Sequence, residues 1–249
     1  MTSGGAMTSG SSAASGRVIK ILPFSSVDGP GNRSVVFLAG CNFNCLACHN
    51  PQTIPMVSPE SRELTAAEVL SALKPARPFI SGITVSGGEP TLQADFLEEL
   101  LAGARALGVH TLIDSNGSAP TAVWERLLPV AGGVALDLKA IDPALHRRLT
   151  GHALEPVLDS IRFAASKGKL AEVRHLVIPG FTDALSRLQQ LAAWLASVAP
   201  DAPLALLAFR HHGVRGELAS HPSPAPQQMA ALVDAARAAG VKKVSIRGL

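Results

Sequence analysis

The chain contains three cysteines, and they sit together as Cys41-Asn42-Phe43-Asn44-Cys45-Leu46-Ala47-Cys48. A C-x₃-C-x₂-C loop this tight brings three thiolates to one place whatever the rest of the chain does. Three thiolates can hold three irons of a four-iron cluster and leave the fourth iron without a protein ligand. An open metal position is where chemistry occurs, whereas a closed one is usually structural. The same cysteines with His49 would also serve a structural Cys₃His zinc site, and spacing alone leaves both readings open.

The bulk properties narrow the choice. At 249 residues, with 47% hydrophobic and 16% charged residues, the expectation is one large domain with a full core. A net charge of +3 is mild, and there is no tyrosine, so neither charge nor base stacking argues for a nucleic-acid partner. No apolar run is long enough to span a bilayer, so no membrane partner is expected. Three cysteines cannot form a fully paired disulfide framework, which indicates a reducing, cytoplasmic setting. Residues 1–16 are Met, Ser, Gly, Ala and Thr without an apolar stretch and read as a disordered leader, with the folded domain at 17–249.

Along the chain, strand patterns alternate with helical ones. Strands are expected at 17–24, 34–39, 82–86, 109–113, 133–138, 171–178, 204–209 and 241–246. Helices are expected from the Thr65-x-x-Glu68 capping box to before Pro75, then over 93–107, 122–128, 142–149, 155–167, 184–198 and 227–239. Such alternation is the pattern of parallel βα units, so the fold class is α/β. Polar clusters follow the strands: Ser86-Gly87-Gly88-Glu89-Pro90, Asp114-Ser115-Asn116-Gly117, Asp137-Leu138-Lys139 and Arg210-His211-His212. In a βα barrel, the C-terminal strand ends carry the chemistry. A double glycine lets backbone approach a ligand closely, and its carbonyls would suit an ammonium group. Carboxylates, an amide and an ammonium on the same rim suit ribose hydroxyls and a carboxylate. Taken singly, each of these turns reads as an ordinary cap or loop. His110, His146, His152, His175 and His221 show no metal-ligand spacing.

Taken in order, these motifs resemble the radical S-adenosylmethionine (SAM) superfamily. Within it, Val27-Asp28-Gly29-Pro30-Gly31-Asn32-Arg33, the cysteine loop with His49-Asn50-Pro51, Gly87-Gly88-Glu89-Pro90, Asp114-Ser115-Asn116-Gly117, Leu136-Asp137-Leu138-Lys139 and Arg174 are similar to the glycyl-radical-enzyme activases. Residues 22–31 and 208–214 look closest to the YjjW-like branch. The resemblance implies a partial (β/α)6 TIM-like barrel. It implies a [4Fe-4S] cluster on Cys41, Cys45 and Cys48, with SAM on the open iron. It implies that the Gly87-Gly88-Glu89 backbone holds the SAM amino group, and that Asn50, Asp114, Asn116, Asp137, Lys139 and Arg174 surround the rest. It implies a monovalent cation on Asp114, Ser115 and Asp137, and Asp28 near the glycine loop of a partner. The activity implied is reductive SAM cleavage to a 5′-deoxyadenosyl radical that takes hydrogen from a backbone glycine of a glycyl radical enzyme, with flavodoxin or ferredoxin as electron donor. The alternatives are a radical SAM enzyme acting on a small molecule or another peptide, and the non-catalytic zinc module. Two positions depart from the pattern. Ala47 stands where an aromatic residue often lies against adenine, with Phe43 or His49 as substitutes, and Arg210 stands where a histidine is expected, with His211 and His212 beside it.

Overall fold

The computed structural model describes residues 13–248. They form one nine-stranded sheet in the order β3-β1-β2-β4-β5-β6-β7-β8-β9. The strands are β1 (Ser15–Ser25), β2 (Arg33–Leu38), β3 (Arg62–Thr65), β4 (Gly82–Gly87), β5 (His110–Ser115), β6 (Gly133–Asp137), β7 (Leu170–Val177), β8 (Leu204–Ala208) and β9 (Val244–Arg247). From β2 through β9 every neighbouring pair is parallel. The helices that link them are α1 (Ala66–Leu73), α2 (Ala94–Ala106), α3 (Thr121–Leu127), α4 (Pro143–Thr150), α5 (Glu155–Ser166), α6 (Leu185–Val198) and α7 (Pro226–Ala238). Taking α4 and α5 as one crossover, these make six βα units and a final strand, the expected partial (β/α)6 barrel.

Local chemistry explains where the elements begin. The Thr65 side chain accepts from the Glu68 amide while Glu68 reaches back to the Thr65 amide, a complete capping box for α1. Asp142 accepts from the Leu145 amide at 2.7 Å, Pro143 takes the first turn of α4, and Gly151 closes it at φ 83°. Apolar helix faces cover the outside of the sheet: Phe96, Leu97, Leu100, Leu101 and Ala104 of α2 are all buried.

Three features differ from the sequence expectation. Strand β3 was not foreseen, and it pairs antiparallel with β1, which itself lies antiparallel to β2. Strand β1 starts at Ser15, so the domain boundary expected at residue 17 falls inside it, while residues 1–12 lie outside the described region. The last strand begins at Val244 and not at Val241, because Val241 is spent on the core, 3% exposed.

The N-terminal end of the barrel is plugged. The turn between β1 and β2 folds inward, with the Asp28 carbonyl accepting from Thr84 Oγ1 at 2.6 Å. Arg33, 1% exposed, donates from Nε to Thr84 Oγ1 (2.7 Å) and from a terminal nitrogen to the Ile83 carbonyl (2.6 Å). Gly82 makes room for it, since a β-carbon there would lie 2.7 Å from the guanidinium. Arg33→Ala leaves these buried acceptors without a donor and opens a void. It is expected to lower unfolding free energy by about 2–4 kcal/mol in urea denaturation. A loss below about 1 kcal/mol would show that the plug does not hold the strand ends together.

Candidate active site

The cysteine loop leaves the end of β2 and is held by backbone contacts from three directions. The Gly40 and Cys41 amides donate to the Thr53 and Ile54 carbonyls (2.8 and 3.0 Å), within and after the short helical turn Pro51–Thr53. The Asn44 and Leu46 amides donate to Thr150 and Leu149 at the end of α4 (3.2 and 2.9 Å). The turn after β4 completes the frame: the Gly88 amide donates to Leu38 (2.9 Å) and the Glu89 amide to Gly40 (2.7 Å). Gly87 adopts φ 121°, a region that glycine enters without steric penalty. At Gly88 a β-carbon would collide with the Gly40 carbonyl and lie 2.8 Å from the Thr53 carbonyl.

Glu89 is fully buried. Its Oε1 accepts from the Thr91 amide (3.1 Å), Thr91 Oγ1 (2.6 Å) and Ser115 Oγ (2.8 Å), and its Oε2 from the Asn116 amide (2.7 Å). Burial raises its pKa while these hydrogen bonds oppose the rise. This carboxylate therefore ties the turn after β4 to the turn after β5. Asn116 extends the tie, donating to Asn42 Oδ1 (3.0 Å) and lying 3.9 Å from Cys41 Sγ.

These elements surround a cavity of about 230 Å³ at the C-terminal strand ends. Its wall includes Cys41, Cys45, Cys48, Asn50, Gly87, Gly88, Asp114, Asn116, Asp137, Lys139 and Arg174, so most of the candidate residues meet in one place. The Glu89 side chain is turned into the protein, away from that wall. Ser115 is likewise buried, donating to Glu89 and accepting from the Gly117 amide. Asp28 is not on the wall either. Its carboxylate is bonded by the Ser25 hydroxyl and is close enough to Arg174 on that wall to act on its charge. Arg210, His211 and His212 also lie off the wall; Arg210 Nε donates to the Gly248 carbonyl at 2.8 Å. Phe43, which is 2% exposed, reaches the wall but stacks on His152 at 4.7 Å, so its ring face is already used. Ala47 and His49 both line the wall, and His49 Nε2 donates to the Arg210 carbonyl at 2.9 Å.

Ser86, named above only within its turn, and three apolar residues complete the site. Ser86 Oγ donates to Asp114 Oδ2 at 2.8 Å. Leu176, Ile178 and Leu207 supply apolar wall. The alternation 174, 176, 178 along and beyond β7 is the signal that could have found two of them.

The electrostatics are set by burial and by one chain of charges. Burial pushes the Cys41 and Cys45 thiols up to about 12 and about 11. Lys139 Nζ bonds Asp137 Oδ2 at 2.7 Å. Its burial favours the neutral amine, but Asp137 and the neighbouring cysteines outweigh that and raise its pKa. Arg174 Nε bonds Asp137 Oδ1 at 3.0 Å, and its terminal nitrogen bonds Asp114 Oδ1. Burial lowers Arg174 to about 10, Arg247 adding to the shift and Asp28 opposing it, so it stays charged at neutral pH.

Three soft thiols on one wall, with room beside them, fit an iron–sulfur cluster. Residues 35–192 match the radical SAM superfamily, and the chain belongs to it. It is 39% identical over 184 residues to the pyruvate formate-lyase-activating enzyme of Streptococcus mutans, covering 70% of each chain. It is 34% identical over 209 residues to that of Staphylococcus aureus, covering 80% of this chain and 83% of the relative. Within the superfamily, the chain belongs to the family of these activating enzymes. A domain of the pyruvate-formate lyase-activating enzyme from Bacteroides vulgatus shares the fold, with a TM-score of 0.60 at 24% identity over 68% of this chain and 99% of that one. SuiB of Streptococcus suis, solved bound to S-adenosylmethionine, shares it with a TM-score of 0.66 at 15% identity, over 84% of this chain and 48% of that one. Membership implies a [4Fe-4S] cluster and SAM as cofactors, which the thiol set and the cavity accommodate.

Gly88→Ala places a methyl against two backbone carbonyls that cannot swing aside. It is expected to displace the cysteine loop and to lower the iron bound on anaerobic reconstitution by more than half. Full iron loading with an unchanged melting temperature would show that the close approach at Gly88 is dispensable.

Proposed function

We propose that this chain activates a glycyl radical enzyme. The observation that carries the reading is the meeting of three thiols, a double-glycine turn and the Asp137–Lys139 pair on one cavity wall, in a chain of the activase family. When bound, the cluster supplies one electron that cleaves SAM to methionine and a 5′-deoxyadenosyl radical, which takes a hydrogen atom from a backbone glycine of the partner enzyme.

In this reading Cys41, Cys45 and Cys48 hold the cluster. Gly87 and Gly88 bring backbone carbonyls to the SAM amino group, and Glu89 serves by its backbone and by fixing the turn. Lys139 presents a charged ammonium, the cation that a methionyl carboxylate needs. Asn50, Asn116 and Asp137 offer polar atoms for the nucleoside, and the apolar wall beyond Arg174 excludes water from the reacting end. His49, on the same wall as Ala47, provides a ring edge there.

Flavodoxin or ferredoxin is the reductant class in this proposal, with no second cluster: beyond Cys48 the sequence has no further cysteine. Assignment to the YjjW-like branch and a reducing cytoplasmic setting belong to the same proposal. Among the described residues no helix is long and apolar enough to cross a membrane.

Electron paramagnetic resonance of reconstituted, reduced protein tests the reading. A cluster signal that changes on adding SAM is expected. Cys45→Ala should lose both the signal and SAM cleavage. Lys139→Ala should keep the signal and weaken SAM binding about tenfold or more, as loss of a charge-assisted contact predicts. Normal SAM cleavage by the Cys45 variant would overturn the mechanism. A small-molecule or peptide substrate would be favoured if no glycyl radical forms on a candidate partner while SAM is still cleaved.

A further inference from the structure

The activase resemblance implies a monovalent cation held by Asp114, Ser115 and Asp137, and the geometry here does not fit one. The three groups come from β5 and β6, with Asp137 paired in register to Arg174 of β7. Arg174 reaches back across β6, bonding Asp137 with Nε and Asp114 with a terminal nitrogen. The second oxygen of Asp137 takes Lys139 Nζ, and the second oxygen of Asp114 takes the Ser86 hydroxyl. Every carboxylate oxygen of the pair thus has a donor. Ser115 is 2% exposed, and its hydroxyl is committed to Glu89 and Gly117. It does not face the space between the aspartates. The four side chains by themselves pair two carboxylates with one guanidinium and one ammonium, while Asp28 and Arg247 also act on Arg174. A hard cation also needs several free oxygens around one point, and that point is filled by the guanidinium.

We infer that the Arg174 guanidinium is the built-in cation of this site, so that the site takes no monovalent metal ion. A planar fork with fixed donors suits two carboxylates on neighbouring strands better than a spherical ion does. Because the charge is covalently attached, the aspartates are held in place before SAM arrives, and the site is indifferent to potassium and sodium. The inference rests on the SAM-site reading for its catalytic meaning, but its structural content can be tested without SAM.

The test is thermal unfolding of the cluster-free chain in potassium, sodium or choline chloride at equal ionic strength. The wild-type chain should melt within about 1 °C in all three, since a ligand stabilises only a fold that binds it. Arg174→Ala should melt lower by about 5 °C or more in choline. It should recover part of that loss, saturably, in potassium or sodium. Saturable stabilisation of the wild-type chain by either metal ion overturns the inference, as does a variant that is as stable as wild type in choline. Should the variant not fold, the wild-type comparison still decides. SAM binding to reconstituted wild-type protein, read by paramagnetic resonance, separates the two proposals. Equal SAM affinity in potassium and choline supports the built-in cation, and a tenfold loss in choline overturns it. Absence of SAM binding in every salt defeats the SAM-site reading and leaves the melting result to judge the cation.

Discussion

The buried carboxylate of Glu89 is the point from which the rest of the site hangs. An ionised group with no solvent contact is costly unless donors surround it, and here two backbone amides and two hydroxyls do so. Those donors come from the turn after β4 and from the end of β5 with the turn that follows it. Satisfying one side chain therefore fixes both turns, and Asn116 carries the constraint to Asn42 and Cys41. The cysteine loop has no regular secondary structure of its own. Its shape is borrowed from the double-glycine turn, the Pro51–Thr53 turn and the end of α4.

Much of this architecture was legible because its causes are local. The capping box at Thr65 and Glu68 and the Asp142-Pro143 start of α4 need only a few residues, and both appear as read. The parallel order followed from alternation of strands and helices. Strand β3 was not legible: Arg62-Glu63-Leu64-Thr65 has no strand pattern and is extended because β1 offers it an edge. The site divides the same way. Cys41, Cys45, Cys48, Gly87, Gly88, Asp137 and Lys139 announced themselves by motif and strand-end position. The inward turn of Glu89 did not, because it depends on donors 26 and 27 residues away. Where Asp28 sits was not legible either, because only the pairing of Ser25 with Arg33 and the reach of the turn to Thr84 place it.

The charges of the site are arranged as a ladder across three strands. Asp114, Arg174, Asp137 and Lys139 alternate in sign, and each neighbour neutralises the next. Lys139 ends the ladder beside the cysteines, where burial otherwise disfavours thiolates. Positive charge is thus placed where negative charge must later collect.

The inward turn at residues 28–33 closes the barrel at one end, with Gly29 seated against Leu112 and Gly31 against Ser81. The turn thus lays a floor of backbone and apolar side chain beneath the sheet's strands, and a group held at the opposite strand ends rests over packed protein.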